Sequence, residues 1–370
     1  MRRIYIYERE DWPNFTWSND AILPALSTVR NLQGRIIGKM GALGFELQNQ
    51  ANLETNTQDI LKTSEIEGEL LNPDQVRSSV ARRLGLDISG LVPSDRNVDG
   101  VVDMMIDATT NYNQPLTQRR LFGWHNSLFP SGYSGMYKII VGNWRDDSTG
   151  PMQVVSGPLG KEKLHFQAPS AHRIQKQVST FLKWFNTEQK IDPVLKAALA
   201  HLWFVTLHPF EDGNGRIARA ITDLLLAKSD DQSSRFYSMS TQIRNERKQY
   251  YDILEKTQKG SLEVTNWMTW FLNCLNKALL NSESLLSRII TKHEFWLENG
   301  NHLKNDRQKK VLNMLLDGFH GKLNTTKWAR INKCSQDTAL RDIQDLMDKK
   351  ILYKLPDGGR STAYDLTVNV

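Results

Sequence analysis

Along most of the chain, apolar side chains recur every three or four residues, the spacing that gathers them on one face of a helix. From residue 22 to about 84 breakers are few, and Ile60, Leu61, Ile66 and Leu70 supply an apolar face. Ser18, Asn19 and Asp20 read as a helix start. Gly68 interrupts the helical run, and Asn72, Pro73 and Asp74 turn the chain and open a new helix. Further helices are predicted over 97–111, 117–128, 172–185, 193–207, 216–228, 241–258 and 264–298. Between Pro130 and Pro169 the period changes. This stretch is glycine-rich, with alternating pieces at 137–141 and 152–155, and reads as one or two short hairpins inside a helical protein. Such an excursion is either a lid over a site or a solvent-facing loop.

Asn299, Gly300 and Asn301 form a hinge signal. Beyond it, helices are expected over 306–319, 325–333 and 335–349, with Leu340, Ile343 and Leu346 striping the last. Strands over 351–355 and 362–366 would then pair across a turn at Asp357, Gly358 and Gly359. The expected fold is therefore mainly α. Its expected layout is an N-terminal helical module (1–95), a helical core with a hairpin (96–275), a linker helix (276–304) and a small C-terminal domain (305–370).

Composition changes this picture little. Of 370 residues, 39% are hydrophobic and 24% charged, which is ordinary for a globular chain. The net charge of +6 suits an anionic partner. The two cysteines, Cys274 and Cys334, lie far apart without metal-ligand neighbours at short spacing. A disulfide framework or zinc site is not expected, and a reducing, cytoplasmic setting is. Charges interrupt the first fifteen residues too often for a signal-peptide core. No run reaches the roughly 18 apolar residues that cross a membrane. The richest, 194–210, is broken by Lys196, His201 and His208.

The chemistry concentrates in His208-Pro209-Phe210-Glu211-Asp212-Gly213-Asn214-Gly215-Arg216-Ile217-Ala218-Arg219. Gly213, Asn214 and Gly215 allow a turn whose successive N–H groups form an anion-binding nest. A helix starts directly after it, so the positive helix end faces the same spot. Ile217, Ile221, Leu224 and Leu225 share that helix's apolar face, while Arg216 and Arg219 project elsewhere as two guanidinium forks suited to a polyphosphate. Asp212 offers a hard oxygen ligand for Mg²⁺, and His208 a base near neutral pH.

This segment resembles the signature of the Fic family, HPFx[DE]GNGRxxR, and every fixed position matches. The resemblance implies a helical core with a β-hairpin flap and transfer of AMP from ATP to Ser, Thr or Tyr hydroxyls of proteins, the enzyme itself included. His208 would deprotonate the target hydroxyl and Asp212 would hold Mg²⁺. Gly213, Asn214, Gly215, Arg216, Ile217, Ala218 and Arg219 would take the nucleotide, with Arg219 nearest the γ-phosphate. The flap would be Met152, Gln153, Val154, Val155, Ser156 and Gly157, and by family position Tyr251, then Tyr250, would meet the adenine. Thr63, Glu67 and Gly68 fit the family's inhibitory-helix pattern [ST]xxxE[GN], and Glu67 would restrain the enzyme. Removal of AMP, transfer of another phosphate-linked group, and a nucleotide-sensing regulator remain open beside this reading, as does a homodimer.

The C-terminal helices and hairpin resemble a winged helix-turn-helix, whose third helix enters a DNA groove. From residue 305 onward there are twelve Lys and Arg against eight Asp. Asp337, Asp342 and Asp345 on or beside the third helix would repel phosphates, which favours target recognition or a dimer contact over DNA.

Overall fold

The computed structural model describes residues 4–367 apart from 89, 149, 159, 189, 317, 318, 320 and 357–361. The chain divides into two compact units, 1–282 and 283–370.

In the first unit, α1 (Asn19–Gly41), α2 (Phe45–Ile66), α3 (Pro73–Arg83), α4 (Arg96–Thr110) and α5 (Gln118–Leu128) precede two antiparallel hairpins. These are β1 (Tyr133–Ser134) with β2 (Tyr137–Lys138), and β3 (Gln153–Ser156) with β4 (Lys163–Gln167). Then follow α6 (Ala171–Asn186), α7 (Pro193–Leu207), α8 (Asn214–Asp230), α9 (Met239–Asn245), α10 (Arg247–Gln258) and α11 (Thr265–Asn299), of which residues 265–282 belong to this unit. The helix starts obey local chemistry. The Ser18 hydroxyl accepts from Ala21 N–H, and Asn72 accepts from Asp74 and Gln75 ahead of Pro73 in the first turn.

The core centres on α7 packed against α8, which α4 also contacts. Every residue of α7 except Pro193 and Lys196 is buried, which is why its sequence is apolar all round. The β3–β4 hairpin rests on the opening segment, where the rings of Tyr5 and Tyr7 meet Phe166 edge-on. Its register shifts between Val154 and Val155: Val154 pairs with Phe166 and Val155 with Leu164, leaving His165 as the extra residue of a bulge.

Three expectations need correction. The run 241–258 is two helices, because Glu246 leaves helical angles (φ −109°, ψ 26°) while its carboxylate takes Lys277 Nζ at 2.6 Å. Leu70 lies beyond the end of α2 and is 83% exposed, so the apolar face stops at Ile66. Leu340 is exposed too. The buried stripe of its helix is Ala339, Asp342, Ile343 and Leu346.

The second unit holds α12 (Asp306–Leu316), α13 (Thr325–Asn332), α14 (Gln336–Asp348) and the antiparallel pair β5 (Leu352–Lys354) and β6 (Tyr364–Leu366). The predicted turn at Asp357, Gly358 and Gly359 lies outside the described residues. Its core includes Leu312, Trp328, Ile343 and Leu346 and reaches back to Phe295, with Trp296 packed against it. Asp342 accepts from Arg307 at 2.8 Å, and Asp345 pairs with Lys304 at 2.5 Å and Lys349 at 2.6 Å. These two acids therefore tie Lys304 and Arg307, around the start of α12, to α14, which removes most of the argument that they repel phosphates. Among the described residues, no helix is long and apolar enough to cross a membrane.

Candidate functional site

Helix α7 ends at His208, whose left-handed backbone (φ 48°, ψ 57°) turns the chain out of the helix. Arg145, buried in the loop between the two hairpins, fixes that exit. Its Nε donates to His208 O at 2.7 Å, and its backbone N–H to Pro209 O at 3.0 Å. Phe210 is fully buried and stacks on the His125 ring with centroids 4.1 Å apart. Asn214 closes the loop on itself: its Oδ1 accepts from Phe210 N at 3.0 Å, and its Nδ2 donates to Phe210 O at 2.8 Å. The Asn214 side chain thus shapes the turn instead of gripping a ligand. Gly213 sits at φ 79°, and a Cβ there would come within 2.9 Å of the Phe129 ring.

Further anchors come from the glycine-rich segment. The Asp212 carboxylate accepts from Gly213 N at 2.6 Å and from the Ser134 hydroxyl at 2.5 Å, while Glu211 accepts from Ile140 N at 2.7 Å. His125 Nδ1 accepts from Gly142 N, which leaves Nε2–H to donate to Asp212 O at 3.2 Å. Burial holds this imidazole neutral, with its pKa lowered to about 4. His208 is lowered to about 4 as well, by burial first and the Arg145 charge second. It is therefore a free base at neutral pH.

The two arginines of α8 are both engaged by the end of α2 and the turn after it. Arg219, 2% exposed, donates from Nη2 to Glu67 Oε1 at 2.7 Å and to Thr63 O at 2.9 Å, and from Nε to Thr63 Oγ1 at 2.6 Å. Burial opposes its charge, but the Glu67 carboxylate together with Tyr250 and Tyr251 offsets this, and the net effect raises its pKa. Gly68, at φ 88°, turns the chain so that Glu69 returns to the site. Glu69 then accepts from Arg216 Nη1 at 2.8 Å, and the Arg216 guanidinium lies 5.0 Å above the Phe129 ring. Arg219 Nη1 and Arg216 Nε are buried without a hydrogen-bond partner. A Cβ on Gly215 would fall 2.1 Å from Glu67 Oε1, so the carboxylate lies directly against the first turn of α8.

A cleft of about 710 Å³ opens at this point. It brings together Glu67, His208, Gly215, Tyr250, Tyr251 and the hairpin residues Val154, Val155 and Ser156. The other predicted hairpin residues face elsewhere. Met152 packs toward the Tyr5 cluster, Gln153 bonds Gln167 across the strands, and Gly157 (φ 105°) turns the hairpin. The side chains of Ile217 and Ala218 are wholly buried in the core, and Ile217 N–H is taken by Gly213 O. Tyr250 is 2% exposed and its hydroxyl is bonded to His201 Nε2 at 2.9 Å, so it backs the cleft. Tyr251 is half-buried, with the Arg247 guanidinium 5.2 Å from its ring. Arg145, His125, Ser134 and Glu69 were not singled out from sequence. Only Glu69, two residues past Glu67, carried a local signal.

Residues 5–86 match the family model described as a domain of unknown function, DUF4172, and residues 115–226 match that of the Fic/DOC family. The protein adenylyltransferase fic-1 of Caenorhabditis elegans is 29% identical over 172 residues, 46% of this chain and 31% of that protein. A protein adenylyltransferase Fic of Culex quinquefasciatus is 22% identical over 240 residues, 62% of this chain and 42% of that protein. The chain thus spans about a third to two-fifths of the length of these curated relatives. Its fold is similar to that of a Fic family protein from Desulfovibrio desulfuricans G20, with a TM-score of 0.55 at 19% identity over 97% of this chain and 99% of that one.

Proposed function

We propose that this chain, which carries a Fic/DOC family domain over residues 115–226, is a protein adenylyltransferase that moves AMP from ATP to a Ser, Thr or Tyr hydroxyl and is restrained by Glu67. The observation that carries the reading is the ion pair of buried Arg219 with Glu67 at 2.7 Å, Glu67 lining the cleft that His208 also lines. Neutral His208 takes the proton of the target hydroxyl as its oxygen bonds the α-phosphorus and the bond from that phosphorus to the bridging oxygen breaks, pyrophosphate leaving with the electron pair. The nest at Gly213 and Gly215 and the positive end of α8 receive the phosphates, and Arg216 and Arg219 neutralise them. Tyr251 offers a face for the adenine, with Tyr250 behind it. The exposed edge of Val154, Val155 and Ser156 aligns the target segment by strand addition.

Asp212 fits as the protein ligand of Mg²⁺. Among the described residues no group of three or more His, Cys, Asp or Glu is gathered to hold a metal by itself. A single carboxylate beside a phosphate nest is the arrangement Mg²⁺ uses when substrate phosphates complete its shell. The ion supplies neutralisation and orientation of the phosphates when bound.

Glu67 restrains the site in two ways. It occupies Arg219, and it places a negative charge where the terminal phosphate belongs. Two like charges about 4 Å apart cost roughly 4 kcal/mol at an effective dielectric near 20. Positioning supplies most of the catalysis in phosphoryl chemistry, so phosphates turned away from His208 react slowly. His208→Ala tests the reading: ATP binding should persist while protein labelling falls roughly 10²–10⁴-fold. Near-full labelling in this variant would remove His208 from the mechanism.

A further inference from the structure

Beside His208, the same cleft holds a hydroxyl–imidazole–carboxylate relay. Ser156 Oγ lies 2.5 Å from His165 Nε2, and His165 Nδ1 lies 2.6 Å from Glu255 Oε2 on α10. All three residues line the cleft. The bulge of the β3–β4 hairpin builds this relay. His165 is the unpaired residue between the Val154–Phe166 and Val155–Leu164 pairs, and bulges re-aim the side chain they carry. Lys259 pairs with the other oxygen of Glu255. Burial opposes ionisation of Glu255, but the hydrogen bonds from Lys259 and His165 outweigh it and keep its carboxyl below the usual range. With Nδ1–H donated to that carboxylate, His165 Nε2 carries the lone pair and accepts the Ser156 hydroxyl proton. Nucleophile, base and orienting acid are thus in hydrogen-bond sequence, the arrangement that activates a serine. Ser156 is also solvent-exposed, and Arg244, Arg247 and Lys248 add positive charge to the cleft walls.

The geometry points to Ser156 as a self-modification site, an acceptor of AMP from the ATP bound in its own cleft. The inference rests on the adenylyltransferase reading above and names an acceptor that this reading leaves open. In the step, the Ser156 Oγ–P bond forms at the α-phosphorus and the bond from that phosphorus to the bridging oxygen breaks. Pyrophosphate leaves with the electron pair, and the hydroxyl proton passes to His165 Nε2, where Glu255 stabilises the imidazolium. The product is AMP in phosphodiester linkage to the flap, on the strand edge offered to a target segment. Self-modified chain should therefore compete poorly for targets.

The test is site-resolved mass spectrometry of the full chain and its Glu67→Gly form after incubation with ATP and Mg²⁺. Label is expected on the peptide that carries Ser156. It should form at a rate per chain independent of protein concentration, because acceptor and cleft belong to one molecule. In His165→Gln, label at Ser156 should fall at least tenfold relative to label elsewhere in the same chain, an internal reference that a general loss of activity would not shift. Label on other residues but not on Ser156 overturns this inference and leaves the transferase reading standing. No label anywhere, in protein that binds ATP, overturns both. A rate proportional to protein concentration places the acceptor in a second copy and overturns the assignment to the molecule's own cleft.

Discussion

Glu69 engages Arg216 as Glu67 engages Arg219, so both guanidinium forks of the proposed phosphate site are occupied by carboxylates from one turn of chain. In both pairs the arginine is buried (7% and 2% exposed) and the carboxylate about a third exposed (39% for Glu69, 32% for Glu67), and a pair open to solvent on one side contributes only about 0.2–1 kcal/mol. Glu69→Ala should therefore tighten ATP binding by roughly 1.5- to 5-fold, in the parent and again on top of Glu67→Ala. Titration calorimetry would read this, and weaker binding would show that Glu69 assists the nucleotide instead of excluding it. The sequence put His208, Asp212, Arg216 and Arg219 forward together because they stand in one contiguous motif, and Glu67 through a separate motif far upstream. It hid Arg145 and His125, since a lone Arg in a glycine-rich loop and a lone His on a helix carry no periodic or motif context. Only the folded chain shows Arg145 reaching His208 O and Pro209 O.

At the scale of elements, helices were legible where caps and apolar periodicity agreed, as at Ser18, Asn72 and along α7. They were misjudged where a charged contact overrode local pattern, as at Glu246, or where an apolar residue lay past a helix end, as at Leu70. The hairpin could be expected, but not its bulge, because register depends on the partner strand. Buried imidazoles join the core elements. His201 on α7 bonds Thr222 on α8 at 2.9 Å and Tyr250 on α10 at 2.9 Å. Burial first, then the Arg219 charge, lowers its pKa to about 3, beside about 4 for His125 and His208. An unfolded histidine protonates near 6.5. Below that pH the unfolded chain takes up protons that these three folded sites refuse, so they cost stability progressively as pH falls from about 6.5 to about 4. Asp223 and Asp230, whose carboxyls burial raises, act in the opposite sense, so the imidazoles are best followed directly. Their ring proton resonances should keep neutral positions from about pH 8 to 5 by NMR. A titration near 6.5 at any of the three would contradict the burial argument. For His208 the same shift predicts a transfer rate without an acidic break near 6.5.

The whole molecule is two units, and their boundary bears on how the tail is tested. The hinge signal at Asn299 to Asn301 suggested a cut near residue 305. The core of the second unit, however, includes Phe295 and packs Trp296, both on the near side of that signal. A chain ending at 304 should therefore expose these rings and aggregate more than one ending at 282. The 1–282 chain should keep self-labelling and change only in its handling of external proteins, as read by labelling of a lysate. Loss of all self-labelling in soluble 1–282 protein would make the second unit part of the catalytic core. The claim on which the rest depends is that Glu67 holds the site in check. Its most direct test is the initial rate of ATP-dependent self-labelling in the full chain, compared with Glu67→Gly and with Glu67→Ala, the latter avoiding the roughly 1 kcal/mol that glycine costs a helix. A regulatory coupling of about 1–3 kcal/mol predicts a gain of roughly 5–150-fold in both variants; equal rates in all three proteins would contradict it.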